Sequence, residues 1–157
     1  MLDDLSSVRR GNLPPAHPRP KFIEGNICDA EAVKGVMQGV SHCLHLAAQV
    51  SVTHSLKAPR ASAECNVLGF ATVLEAARAA GVARFVYASS AAVYGDPETL
   101  PLTEAAGLKP LSLCGLEKLI NECYADLHER VHGLPSMGLR YFNVFGPRQD
   151  PKSPHAA

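Results

Sequence analysis

The sequence has no tryptophan, no net charge and no long apolar run. Charged side chains make up only 19%, with 15 basic residues balanced by 15 acidic ones. That share lies below the usual ~25% and excludes a disordered, highly charged tail protein. The balance also argues against bulk binding to nucleic acid or to an anionic membrane, while leaving room for a local phosphate pocket. The uncharged stretch from Val40 to Lys57 is interrupted by His42, His45, His54 and several hydroxyl residues, so it makes no credible membrane span. The opening Met1-Leu2-Asp3-Asp4 lacks the basic and apolar regions of a signal peptide. Cysteine is sparse and unpaired by pattern: residues 28, 43, 65, 114 and 123 include no C-x-x-C. An odd set of this kind predicts a reduced, cytoplasmic protein and neither a disulfide scaffold nor a zinc ribbon.

What is present suits a globular domain. A chain of 157 residues, 46% hydrophobic, is expected to form one domain with a real core. The first twenty residues are polar, and Pro14, Pro15, Pro18 and Pro20 argue against helix or central strand there. Lys21 to Glu24 reads as a short strand. Asp29 is a plausible N-cap for a helix to Met37, with Gly39 as its stop. Ser41 to Ala47 reads as a strand covered on both faces. A long helix is expected from Pro59 to Ala80, with Val67, Leu68, Phe70, Ala71, Leu74 and Ala77 inward. Ala83 to Ala88 is the next strand, and residues 96–110, with three prolines, form a loop. Leu111 to Val131 reads as a helix burying Leu116, Leu119, Ile120 and Cys123, and Ser136 to Phe142 as the last strand. Alternation of strand and helix predicts right-handed βαβ units, a parallel sheet, and ligand contacts at the carboxyl ends of its strands.

The residues at those strand ends carry a resemblance. The runs Phe85-Val-Tyr-Ala-Ser-Ser90-Ala-Ala-Val-Tyr94-Gly95 and Leu139-Arg-Tyr-Phe-Asn143-Val-Phe-Gly-Pro-Arg-Gln-Asp150 resemble the extended short-chain dehydrogenase/reductases. Within that group they are similar to the NAD-dependent epimerase/dehydratase family, of the UDP-glucose and UDP-N-acetylglucosamine 4-epimerase type. Leu2 to Ser7, Gly25 to Asp29, His45-Leu-Ala-Ala48 and Asn66-Val-Leu-Gly69 match the same family in the same order. The resemblance covers nearly the whole chain. It implies an α/β fold with a Rossmann-type doubly wound parallel sheet, NAD as cofactor, a UDP-sugar as substrate and, in complete relatives, a homodimer through two helices, here 59–80 and 111–131.

The resemblance also implies roles at matched positions. Asp3, with Asp4 beside it, lies where a carboxylate accepts the adenosine ribose hydroxyls, which favours NAD over NADP. Asn26 and Ile27 match residues bracketing the adenine. Leu46, Ala47 and Ala48 match a strand end that lets the cofactor approach the backbone. Asn66 matches an asparagine that orders the active-site helix. Ser90 matches the serine that bonds the sugar hydroxyl undergoing oxidation, while Phe142 and Asn143 match residues near the nicotinamide and the nucleotide diphosphate. Lys118 matches the lysine of the catalytic helix, which also binds the nicotinamide ribose. Ser90-Ala91-Ala92 carries no carboxylate where dehydratases supply an acid, which tilts the reading towards epimerase.

Two departures stand out. The family base is a tyrosine four residues before the lysine, a spacing that puts both on one helix face. Here that position is Cys114, and none of the four tyrosines has a lysine four residues on. A thiol ends short of a phenol oxygen, so epimerisation is expected to fall by roughly 10²–10⁴-fold or vanish. The second departure is the lack of any Gly-x-x-Gly-x-x-Gly turn, the element that brings pyrophosphate to a helix N-terminus. The expectation is therefore a partial NAD-binding Rossmann domain over 1–157, entered at the end of the family's second strand, without the first strand and without a C-terminal substrate domain. Such a chain would be an internal fragment, inactive by itself, or a non-catalytic remnant or module completed by a partner polypeptide. NAD binding is expected to be weak or absent. A metal site at His42, Cys43 and His45 is set aside, because strand alternation divides them between faces. Tyr87-Ala-Ser-Ser-Ala is not a serine-hydrolase elbow.

Overall fold

The computed structural model describes residues 1–6, 21–147 and 149. Two short strands come first, β1 (Leu2–Asp3) and β2 (Ile23–Glu24), paired in parallel. The first of these corrects the expectation of no strand in the opening segment. Leu2 and Asp3 precede the prolines, which lie outside the described residues, so nothing prevents them from pairing. Helix α1 (Ala30–Met37) follows, capped by Asp29, whose Oδ1 accepts from the Glu31 and Ala32 amides at 3.1 Å each. Gly39, at φ +72°, takes the left-handed turn out of it.

A second sheet holds β3 (His42–His45), β4 (Arg84–Ser90) and β5 (Ser136–Tyr141), all parallel and in that order. Register sets Cys43 beside Phe85 and Ser136, and Leu44 beside Val86 and Met137. Between β3 and β4 the chain forms α2 (Val52–Lys57), α3 (Pro59–Ala63), a π-helical turn (Glu64–Leu68) and α4 (Gly69–Ala79). The expected single helix is thus broken by the π turn and preceded by a helix not read from the sequence. After a 3₁₀ turn (Ala91–Tyr94) and a loop, α5 (Leu113–His132) runs from its Ser112 cap to Gly133, at φ +68°.

Helices α1, α4 and α5 share one side. Phe70 of α4 is wholly buried with its ring 5.7 Å from Phe85, 5.2 Å from Tyr87 and 5.3 Å from His45. Val33, Leu74 and Val93 complete the most deeply buried apolar set. The opposite face of the three-stranded sheet, with Leu44, Met137, Leu139 and Tyr141, is exposed, and Leu44 retains 62% of its surface. This corrects the expectation that β3 is covered on both sides. Leu68, expected inward, is 60% exposed. Leu116 and Cys123 of α5 also face out, and its buried residues are Gly115, Glu117, Lys118, Asn121 and Ala125.

Among the described residues β1 pairs only with β2, and β3 only with β4, so the parallel order reads β2-β1, a gap, then β3-β4-β5.

Candidate functional site

The carboxyl ends of β3, β4 and β5 open into one cavity of about 920 Å³. It brings together Leu46, Ala48, Ser90, Cys114, Lys118, Phe142 and Asn143, all singled out in the sequence, with Gln49 and Val50 beside them. Ser90 ends β4 rather than following it. Its Oγ accepts from the Ala92 amide at 3.1 Å and so starts the 3₁₀ turn. Lys118 is 8% exposed, and its Nζ donates to the Ala88 carbonyl at 2.9 Å, bridging α5 and β4. Burial pushes the Lys118 ammonium down, opposed by the nearby Cys65 and Cys114 thiols and by Glu117. Cys114 sits one turn earlier on the same helix, half-buried. Phe142 is exposed, its ring 6.5 Å from that of Tyr94, and Asn143 is exposed.

The other expected residues lie apart from this cavity. Asp3 Oδ1 accepts from the Leu5 amide at 2.7 Å. Asp4 accepts from the Ser6 amide at 3.0 Å and from Asn26 Nδ2 at 3.1 Å, which ties the ends of β1 and β2 together. Hydrogen bonds from Ser6 hold the Asp4 carboxyl below its ordinary value. Asn26 Oδ1 in turn accepts from Cys28 N at 2.8 Å. Asn26 lines a second cavity of about 550 Å³ with Cys28, Glu64 and Cys65. Ile27 is buried in the core, and Ala47 packs against that core.

Asn66 occupies the π turn, where its side chain is buried. Its Oδ1 accepts from Gln49 N and its Nδ2 donates to Gln49 O, both at 2.8 Å. The same Nδ2 reaches Glu117 Oε2 at 2.6 Å. Sequence reasoning missed Glu117 and Asn121. Their signal was the polar spacing 117, 118, 121 on α5, which an amphipathic reading assigns to solvent. It also missed a network behind β4, in which Glu122 accepts from Ser89 and from Arg140, and Arg140 donates to Tyr94 Oη at 2.8 Å. Among the described residues no three His, Cys, Asp or Glu side chains gather as a metal cluster, and no helix is long and apolar enough to cross a membrane.

For NAD the fit is partial. Small side chains at Ala48 and Ala88 open the strand ends, and Ser90 and Lys118 offer polar contacts. No glycine-rich turn is present to cradle a pyrophosphate.

Comparisons with known proteins agree with this geometry. The model of the NAD dependent epimerase/dehydratase family matches residues 2–157. A UDP-glucose 4-epimerase of Mycolicibacterium smegmatis is 38% identical over 154 residues, covering 96% of this chain and 49% of the relative. A dTDP-glucose 4,6-dehydratase of Streptomyces griseus is 39% identical over 150 residues, covering 96% and 44%. Among solved structures, the UDP-N-acetylglucosamine 4-epimerase from Methanobrevibacter ruminantium superposes with a TM-score of 0.94 at 34% identity, over 99% of this chain and 50% of that one. The UDP-glucose 4-epimerase of Thermus thermophilus in complex with NAD gives 0.90 at 36% identity, over 99% and 50%. The chain spans about half the length of the curated relatives it matches. With a Rossmann-like arrangement of parallel strands and helices and a family match along nearly its whole length, the chain belongs to the NAD dependent epimerase/dehydratase family.

Proposed function

We propose that the chain carries one wall of the active site of an NAD-dependent nucleotide-sugar 4-epimerase acting on a UDP-sugar. The observation that carries this reading is the convergence of Ser90, Cys114, Lys118 and Asn143 on one cavity at the carboxyl ends of three parallel strands. Ser90 orients the sugar hydroxyl, Lys118 supplies positive charge beside position 114, and Asn143 contacts the diphosphate. Leu46, Ala47, Ala48 and Phe142 flank the cofactor's nicotinamide end, and Asp3, Asp4, Asn26 and Ile27 its adenosine end. Bound NAD would supply the hydride acceptor. Cys114 stands where the base belongs, and its short reach makes proton removal from the sugar inefficient.

Mapping amide shifts of the ¹⁵N-labelled chain with UDP-glucose and with NAD at millimolar concentration tests this. Shifts clustered at Ser90, Lys118 and Asn143 support the reading; none there overturns it. NAD is expected to bind more weakly than micromolar, and calorimetry finding micromolar affinity would show that the pyrophosphate needs no glycine-rich turn.

The divided sheet favours a second reading, a module completed by a partner polypeptide. The crossovers from β3 to β4 and from β4 to β5 put their helices on one face. A parallel strand laid between β1 and β3, then crossing right-handedly to β1, moves the opposite way along the sheet. Its helix therefore falls on the bare face of Leu44, Met137 and Leu139. Addition of a designed strand–turn–helix polypeptide should give a one-to-one complex with protected amides at β1 and β3. No complex, or pairing of these edges with a second copy, counts against it.

A further inference from the structure

We infer that Glu117 is a positioning residue whose buried carboxylate fixes the orientation of the Asn66 amide and, through it, the Gln49 segment that walls the large cavity. The inference adds to the proposed active-site reading, since that cavity is the one assigned to the ligand.

Gln49 lies beyond the end of β3, where no strand ladder holds its backbone. Asn66 substitutes for a strand partner: its Oδ1 takes the Gln49 N–H and its Nδ2 gives to the Gln49 carbonyl, each at 2.8 Å. This works in only one orientation of the amide. Rotated by half a turn, Nδ2 would face the Gln49 N–H, donor against donor, and Oδ1 would face a carbonyl. Glu117 Oε2, which already accepts from Ser62 Oγ, accepts from Nδ2 at 2.6 Å; the rotated amide would set Oδ1 against this acceptor oxygen, so Glu117 admits the working orientation and disfavours the other.

Glu117 is itself held. Ser62 Oγ donates to the same Oε2 at 3.0 Å, and the residue keeps only 5% of its surface. The Asn66 backbone is fixed as well, because Asn121 Nδ2 donates to its carbonyl at 3.0 Å within the π turn. Helix α5 thus sets both walls of the cavity. Cys114 and Lys118 stand on one side, and Glu117 reaches through Asn66 to the other.

The test uses the full ¹⁵N-labelled chain and hydrogen exchange at Gln49, read against Val86 in β4 as an internal reference. Glu117→Ala is expected to speed exchange at Gln49 about tenfold relative to Val86, the scale of one lost hydrogen bond. Glu117→Gln should restore it, because the glutamine oxygen can turn to Asn66. A purely structural role would move both amides together in either variant. An unchanged ratio in Glu117→Ala, or equal damage in Glu117→Gln, overturns the inference. Should Glu117→Ala fail to fold, Ser62→Ala decides: it loosens the carboxylate, and an unchanged ratio there also overturns it. No NAD or sugar enters the measurement, so its failure and the failure of the proposed activity are separate results.

Discussion

Arg140 grips Glu122 through two parallel hydrogen bonds, Nε to Oε1 at 3.0 Å and Nη2 to Oε2 at 2.8 Å. The side chains keep 21% and 15% of their surface, so solvent screens the pair only partly. Burial pushes the Glu122 carboxyl up, and the hydrogen bonds from Arg140 and Ser89 outweigh it and leave the carboxyl below its ordinary value of 4.5. Its stabilising contribution is therefore present above pH 4.5 and is lost as pH falls through the lower folded value. Arg140 also donates to the Glu104 carbonyl at 3.0 Å, which pins the loop before α5. Arg140→Met is expected to lower the unfolding free energy by about 2–4 kcal/mol in urea melts at pH 7. A loss well under about 1 kcal/mol would mean the pair behaves as a surface pair.

His45 gives a second pH dependence with a separate window. It is 6% exposed and packs against the rings of both Phe70 and Phe85. Burial, with a smaller push from Lys118, lowers it from 6.5 to about 4. The unfolded chain therefore binds the extra proton first. Stability is full above pH 6.5 and falls as the pH drops from 6.5 towards 4, by at most about 3 kcal/mol. Urea midpoints between pH 7 and 5 should show this slope, and His45→Phe should flatten it.

Gly95 is irreplaceable on two counts. Its φ is +70°, and an added Cβ would lie 2.0 Å from the Lys109 carbonyl oxygen. Lys109 N also donates to Val93 O at 3.0 Å, so the two backbones are locked side by side. Gly95→Ala is expected to cost about 2–4 kcal/mol in thermal or urea unfolding. A variant as stable as the parent would show that the loop gives way freely.

Cys114 bears on activity. In a chimera where this chain replaces the 154 matched residues of the Mycolicibacterium smegmatis relative, Cys114→Tyr is expected to raise UDP-glucose epimerisation by roughly 10²–10⁴-fold. Equal turnover with cysteine and tyrosine would remove position 114 from the role of base.

The strand-end residues were legible in the sequence because small and hydroxyl side chains follow apolar runs at each parallel strand. Ser90 and Asn143 lie at such ends, whereas Cys114 and Lys118 stand on α5 and entered only through the family resemblance. Asp29 and Gly39 likewise marked both ends of α1 by their local chemistry. The inward face of α5 was not legible. Leu116, Leu119, Ile120 and Cys123 make a good apolar stripe, yet Glu117, Lys118 and Asn121 are the residues buried. Their partners are Ser62, Asn66 and Ala88, 30 to 55 residues away in sequence, and no local rule registers such pairings. The π turn escaped for the same reason, since the Asn66 carbonyl within it accepts from Asn121 Nδ2, 55 residues away in sequence.

The gap between β1 and β3 has a consequence for symmetry. Two copies joined through their β3 edges would be related by a two-fold axis, antiparallel across the seam, a contact that uses the same edge of each copy and closes on itself. Joining β1 of one copy to β3 of another, in parallel as the sheet requires, uses two different edges. Every copy added that way leaves one of each still open, so the contact propagates instead of closing. A single strand supplied to the gap would pair both edges at once and so remove the contact that propagates.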